Sequence, residues 1–254
     1  MLSKIGIVDD TGEVLARVRE TAPEDAVVVA VSPEDAATGM LAALAVNPAA
    51  DGAAAAVRAA AAAQDTLIGL LADAIDWREG IAMGGSRRLC DHATRFAQAL
   101  GLSLEDQFTL ERGAMLHDIG KLCIPNDVLL KNTVLTYDEW MLVQRHTELG
   151  ARLLRDRGFC PGVAEIVGGH HECYDGTGYP KGIERDAIPP FARIMKILDV
   201  YCAMTSPRHY RKTTSSHEDA VEHLASERGK HFDPDYIDVF LDGQIGQPPA
   251  TTEP

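Results

Sequence analysis

The chain has 254 residues, 46% of them hydrophobic, and a net charge of −14 at neutral pH. Its size and composition suit one large or two modest globular domains with a sizeable core. The acidic balance argues against long DNA or RNA as the main partner, whereas a local basic cluster can still hold a small anion.

Cys90, Cys123, Cys160, Cys173 and Cys202 are never spaced C-x-x-C, which argues against a zinc ribbon. Their odd number and scatter fit reduced thiols in a cytoplasmic protein. The opening MLSKIGIVDD lacks a signal-peptide pattern. The longest apolar run, AAAAVRAAAAA, is too short to span a bilayer and contains Arg58, so no membrane association is expected.

In chain order, KIGIVDD predicts a strand, TGEVLARVRE a short helix and AVVVAV a second strand. PEDAATGMLAALAV predicts another helix, with Ser32 as N-cap and Pro33 at the first helical position. Residues 1–60 are therefore read as a small α/β regulatory or accessory segment. After the breaker cluster NPAADG, the alanine-rich stretch from Ala53 to Trp77 carries a stripe of Leu67, Leu70, Leu71 and Ala74. That pattern predicts a helix that connects domains, forms a homodimer contact, or covers the next domain. Residues 61–245 read as a mainly all-α domain, and 246–254 as a disordered tail. Thr136 ahead of Asp138 and Glu139 predicts a helix start, Ser215 with Glu218 a capping box, and Asp233–Pro234 an N-cap with its first helical residue.

Several polar residues fall where a core belongs. Leu142, His146, Leu149 and Leu153 follow helical spacing, which puts His146 on an apolar stripe. Met195, Asp199 and Cys202 share another stripe, so Asp199 is expected to point inward. A buried carboxylate is costly unless it is paired or binds a metal. In MLHDIGKL, His117 and Asp118 end an apolar helix that Gly120 can close. Lys121 would then either offset the helix dipole or hold a phosphate oxygen. With the adjacent His170 and His171, these residues supply four imidazoles and two carboxylates. Mixed nitrogen and oxygen ligation suits iron, manganese, zinc or nickel better than calcium. Six such ligands suffice for two ions sharing Asp118, an arrangement used for in-line attack on phosphodiesters.

The chain resembles the HD superfamily of metal phosphohydrolases, specifically the HD-GYP family. The matching motifs are HDIGK (117–121), LTYDEW (135–140), His146 followed by Gly150, HHECYDGTGYP (170–180), IPPFARI (188–194), DVYCAMTSPRHYRK (199–212) and GKHFDPDYIDVF (229–240). The resemblance covers about residues 65 to 242. It implies an HD-type helical bundle with the GYP loop beside two divalent ions, iron or manganese first, with nickel or zinc as alternatives. It also implies hydrolysis of cyclic di-GMP to pGpG or GMP, or of a mixed guanine–adenine cyclic dinucleotide, and signalling partners such as a GGDEF-type cyclase.

The same resemblance makes His117, Asp118 and Asp199 ligands of the first metal, and His146, His170 and His171 ligands of the second, with Asp118 bridging. Asp118 and Lys121 become catalytic. Lys121, Tyr179, Arg208 and Arg211 become phosphate contacts, and Asp175 belongs to the substrate-binding loop. One departure stands out. The family segment R-D-x-x-x-x-x-H-S-x-R-V is here REGIAMGGSRRLC, so Gly85 stands where a metal histidine is expected and Ile81 where members with a third metal carry glutamate. His92 lies about 10 Å further along the helix and is no substitute. The expected activity is a cyclic di-GMP phosphodiesterase, and the rival expectation is a non-catalytic cyclic dinucleotide receptor.

Overall fold

The structure, a computed structural model, describes residues 3–8, 26–31, 51–81, 84–206 and 214–247. The helices expected over 11–20 and 33–46, with the Ser32 cap, lie outside the described residues, as do Arg208, Arg211 and most of the tail. The chain divides into two compact units, Met1–Leu67 with Arg157–Cys160, and Ile68–Asp156 with Pro161–Pro254. In the first, β1 (Ser3–Val8) and β2 (Ala26–Val31) pair in parallel, with Ile5 opposite Val28. Both strands are rich in Val and Ile, whose branched side chains suit a pleated surface. Helix α1 (Asp51–Arg78) starts in the first unit and ends in the second.

The second unit is helical. Its elements are α2 (Gly85–Ala99), α3 (Leu104–Leu116), a 3₁₀ turn (Ile119–Cys123), α4 (Asn126–Leu129), α5 (Tyr137–Gln144), α6 (His146–Asp156), α7 (Pro161–Gly169), α8 (Pro190–Thr205), α9 (His217–Ser226) and α10 (Pro234–Asp242). Its core joins Leu89, Ala93 and Phe96 of α2, Leu110 and Ala114 of α3, Ile166 of α7, Ile194, Met195 and Leu198 of α8, and Ile237 and Phe240 of α10. The i, i+4, i+7 spacing of Leu89, Ala93 and Phe96 is the inward stripe of an amphipathic helix. None of the helices is long and apolar enough to cross a membrane among the described residues.

The caps follow side-chain chemistry. Thr136 and Glu139 form a reciprocal capping box at α5, and Asp233 with Pro234 opens α10. The box at α9 is one residue later than the sequence suggested. Ser216 Oγ accepts from Asp219 N, while Asp219 Oδ2 accepts from Ser216 N. SSHED satisfies the spacing in both registers, and the Ser215 N–H bond to Met204 O selects the second.

Of the two apolar stripes, one rules out part of its expectation and the other is interrupted. Leu67, Leu70 and Leu71 are exposed, so this stripe does not cover the helical domain; α1 buries Ile68, Ala72, Ile75 and the acid Asp76, and Glu79 in the turn after it is buried too. Asp76 is drawn inward because its carboxylate caps α2, accepting from Ser86 N and Ser86 Oγ. The predicted His146 stripe is broken at Arg145, where α5 ends and α6 begins. His146 is inward, but with Thr147, Gly150, Ala151 and Leu154, while Leu153 is exposed.

Gly120 does not close α3. It sits inside the 3₁₀ turn, pressed against α6, where a Cβ would collide with the His146 carbonyl oxygen and Gly150 N. This close backbone approach fixes the distance between the His117–Asp118 turn and His146. Gly120→Ala is expected to cost about 3 kcal/mol through overpacking, a Tm loss of roughly 6–12 °C for a domain of this size. A melt within 2 °C of the parent would contradict that packing.

Candidate metal centre

His117, His146 and His170 each stand at a helix joint. His117 caps the C-terminus of α3, His146 opens α6, and His170 follows α7 with its N–H still bonded to Ile166 O. All three use one local device. Their Nδ1 atoms face the carbonyl oxygens three residues earlier: Ala114 at 2.8 Å, Val143 at 2.7 Å and Val167 at 2.9 Å. A ring nitrogen facing a carbonyl must carry the proton, so in the neutral ring Nε2 keeps its lone pair and directs it inward.

Those Nε2 atoms converge on Asp118. Its Oδ2 lies 3.1 Å from His117 Nε2, and its Oδ1 lies 3.3 Å from His146 Nε2 and 3.8 Å from His170 Nε2. Asp199 reaches both sides, with Oδ1 4.0 Å from His117 Nε2 and Oδ2 4.0 Å from His171 Nδ1. Donor atoms of Asp118, His146, His170 and His171 all lie within 4.8 Å of one another. His146 Nε2 and His170 Nε2 face each other at 3.5 Å, and the buried Asp118 Oδ1 has no hydrogen-bond donor. Such a concentration of lone pairs is stable around a cation and costly without one. The residues present therefore fit a metal.

Burial and mutual charge shift these groups strongly. Burial opposes charge on His117, but Asp118 and then Asp199 outweigh it and raise its pKa to about 9. Burial alone would raise Asp118; His117 and Lys121 hold it well below the usual carboxylate range. Burial and the neighbouring His117 and His146 push His170 well down, and burial with His170 does the same to His171.

Lys121 Nζ sits 2.7 Å from Asp118 Oδ2 and 3.0 Å from Glu79. Burial opposes its charge, yet the two acids hold its pKa above the ordinary lysine value. Glu79 is raised by its own burial, which Lys121 only partly offsets, and the nearby Asp118 charge pushes it up further.

The GYP loop forms the wall beside His171. Asp175 Oδ1 accepts from Thr177 N and Thr177 Oγ1, a turn closed by a side chain. Gly178 is required by close approach, since a Cβ there would collide with the backbone of His171–Cys173. Glu172 Oε1 accepts from Lys181 N and ties the loop's end to its start. Tyr179, reached through a cis bond to Pro180, stacks on His171 with ring centroids 4.7 Å apart. Burial pushes its phenol up, so it remains a hydrogen-bond donor. Trp140 meets Tyr179 edge-on at 5.9 Å and is 44% exposed.

His117, Asp118, Lys121, His146, His170, His171, Tyr179 and Asp199 thus come together. Asp175 folds the loop, and its oxygen is engaged in the turn. His92 lies elsewhere, bonded through Nδ1 to Ile245 O. Three participants escaped the sequence reading. Glu79 is the first, although the acid after Arg78 in the R-D segment was its signal. Arg78 is the second, donating to the Lys121 and Ile124 carbonyls and so securing the turn after Asp118. Trp140 is the third, visible only once Tyr179 is placed.

A helical bundle with inward histidines and an aspartate at its helix joints, and a second aspartate from inside a helix, is an HD-type metal-binding architecture. Residues 69–236 match the HD domain family, and the chain belongs to that family, in its HD-GYP branch. Among its relatives is the cyclic di-GMP phosphodiesterase response regulator RpfG of Xanthomonas campestris pv. campestris, 40% identical over 68% of this chain and 46% of that protein. The 3'3'-cGAMP-specific phosphodiesterase 2 of Vibrio cholerae is 33% identical over 68% of this chain and 33% of its own length. The chain thus spans less than half of these curated relatives. The crystal structure of the cyclic GMP-AMP-specific phosphodiesterase V-cGAP3 of V. cholerae shares the fold, with a TM-score of 0.53 at 22% identity, over 69% of this chain and 47% of that one.

The shifted histidines set a pH optimum for the metal-free fold. His117 binds its proton more tightly folded than unfolded, so its contribution is complete below about pH 6.5 and is lost as pH rises to about 9. His170 and His171 are depressed, so the unfolded chain takes up protons that the folded chain refuses, and stability falls as pH drops below about 6.5. Melts across this range should peak near pH 6.5, with the alkaline decline flattened in His117→Asn. An unchanged alkaline slope in that variant would contradict the His117–Asp118–Asp199 pairing.

Proposed function

We propose that the chain is a metal-dependent phosphodiesterase acting on cyclic dinucleotides, with cyclic di-GMP as first substrate and pGpG or GMP as product. The observation that carries this reading is the Asp118 carboxylate, whose two oxygens face two different groups of donors. His117, Asp118 and Asp199 would hold one ion, and Asp118, His146, His170 and His171 the other. Mixed nitrogen and oxygen donors suit iron or manganese, then nickel or zinc. When bound, the ions supply positive charge for the phosphoryl oxygens and activation of water.

The chain's own side chains do the rest. Lys121 offers an ammonium to a phosphoryl oxygen, and the neutral Tyr179 phenol donates to another. Arg208 and Arg211, assigned by the family resemblance alone, hold the second phosphate, where the guanidinium fork suits an oxyanion. The exposed Trp140, edge-on to Tyr179, offers a face for a guanine base. The oxygen of water bonds to phosphorus, the bond from phosphorus to the 3′ oxygen breaks, and the proton passes to that leaving oxygen. The relatives' names support both cyclic di-GMP and the mixed guanine–adenine dinucleotide as substrates to compare. Gly85 favours a second reading, a cyclic dinucleotide receptor without turnover, because no side chain there can complete the first ion's ligands.

Anaerobically purified protein loaded with iron or manganese is expected to linearise cyclic di-GMP, followed by chromatography. Asp118→Ala should fall to background, and Tyr179→Phe should lose about tenfold, the worth of one hydrogen bond. Turnover in Asp118→Ala equal to the parent would overturn the assignment. Binding without product in the parent would favour the receptor.

A further inference from the structure

The Lys121 ammonium lies where a bound cation belongs. It is 2.7 Å from Asp118 Oδ2 and 3.0 Å from each carboxylate oxygen of Glu79, and Asp118 Oδ2 is the oxygen that faces His117. We propose that Lys121 is an internal stand-in for the first metal ion, and that Glu79 is the ligand that takes the place of the side chain missing at Gly85. The inference rests on the two-ion reading of the site.

Glu79 is only 8% exposed, and its Oε1, although close to Lys121 Nζ, makes no hydrogen bond of good geometry. Its carboxylate and Asp118 Oδ2 can be no further apart than the two contacts that join them through Nζ. The other acids near this end of α1 are committed. Asp76 accepts from Ser86 N and Ser86 Oγ, and Asp73 pairs with Arg87. Gly85 itself has no room to be refilled simply. A Cβ there would stand 3.1 Å from Ile81 Cγ2 and 3.3 Å from Asp76 Oδ2, crowding the carboxylate that caps α2. Glu79 is thus the buried acid left with coordination to give, in the turn between α1 and Gly85.

A divalent ion held at Asp118 Oδ2 would stand close enough to the ammonium to repel it, and only the ammonium is on a side chain free to swing away. Glu79 then turns from lysine to metal, and Lys121 is released toward the space where a phosphoryl oxygen would sit. The lysine becomes available to substrate only once the site is loaded, which couples metal uptake to substrate binding.

Metal-free protein dialysed against manganese, with bound metal counted by mass spectrometry and free manganese followed by electron paramagnetic resonance, tests this without substrate. The parent is expected to bind two ions per chain. Glu79→Gln should keep the ion held by His146, His170 and His171 and bind the other at least tenfold more weakly. Lys121→Met should bind that same ion more tightly than the parent, because the competing charge is gone. Circular dichroism checks that both variants fold, and Lys121→Met decides alone if Glu79→Gln does not. A parent-like isotherm in Glu79→Gln, or weaker binding in Lys121→Met, would overturn the exchange while leaving the two-ion site intact. A parent that takes up a single ion would overturn both.

Discussion

The contact between Gly120 and α6 governs the site. A glycine at this point lets the 3₁₀ turn after Asp118 lie directly on the backbone at His146 and Gly150. Any side chain would hold the two segments apart, and the Asp118 carboxylate could not then reach the His146 and His170 rings. Arg78 reinforces the turn by donating to its carbonyls, so one end of α1 serves as a clamp. The metal centre therefore follows from backbone packing first and from ligand chemistry second.

That packing holds groups together that repel or desolvate one another. Lone pairs of His146 and His170 face each other, an Asp118 oxygen has no donor, and Glu79 is buried beside a lysine already claimed by Asp118. A fold accepts such a cluster only when the core around it is strong enough to over-determine the geometry. Here the interlocked core of α2, α3, α7 and α8 lies beside the cluster and supplies that constraint. The carbonyls of Ala114, Val143 and Val167 orient the three rings before any ion arrives, so those rings need not turn on binding.

Much of this was legible in the sequence. The inward placement of Asp199 and the helix starts at Thr136 and Asp233 follow from residue type and spacing, His146 is inward as expected but on a different stripe, and the rest of the ligand set came from the resemblance to the HD-GYP family. What failed did so for local reasons. The apolar repeat through Leu142, Leu149 and Leu153 runs across a helix break at Arg145, which periodicity cannot register. Of the three roles expected for the leucine stripe of α1, covering the helical domain is set aside, because the capping demand of α2 and the charge of Lys121 draw Asp76 and the following Glu79 inward instead. The role of Gly120 depends on a neighbour 26 residues away in sequence, and no local rule carries that information.

Anomalous diffraction from manganese-loaded crystals bears most directly on the central claim, that the Asp118 carboxylate stands between two cation positions. One peak is expected where Asp118 Oδ1 meets the Nε2 atoms of His146 and His170, and a second on the Oδ2 side beside His117 and Asp199. Peaks confined to surface carboxylates, with Lys121 still bound to Asp118 in the loaded crystal, would contradict it.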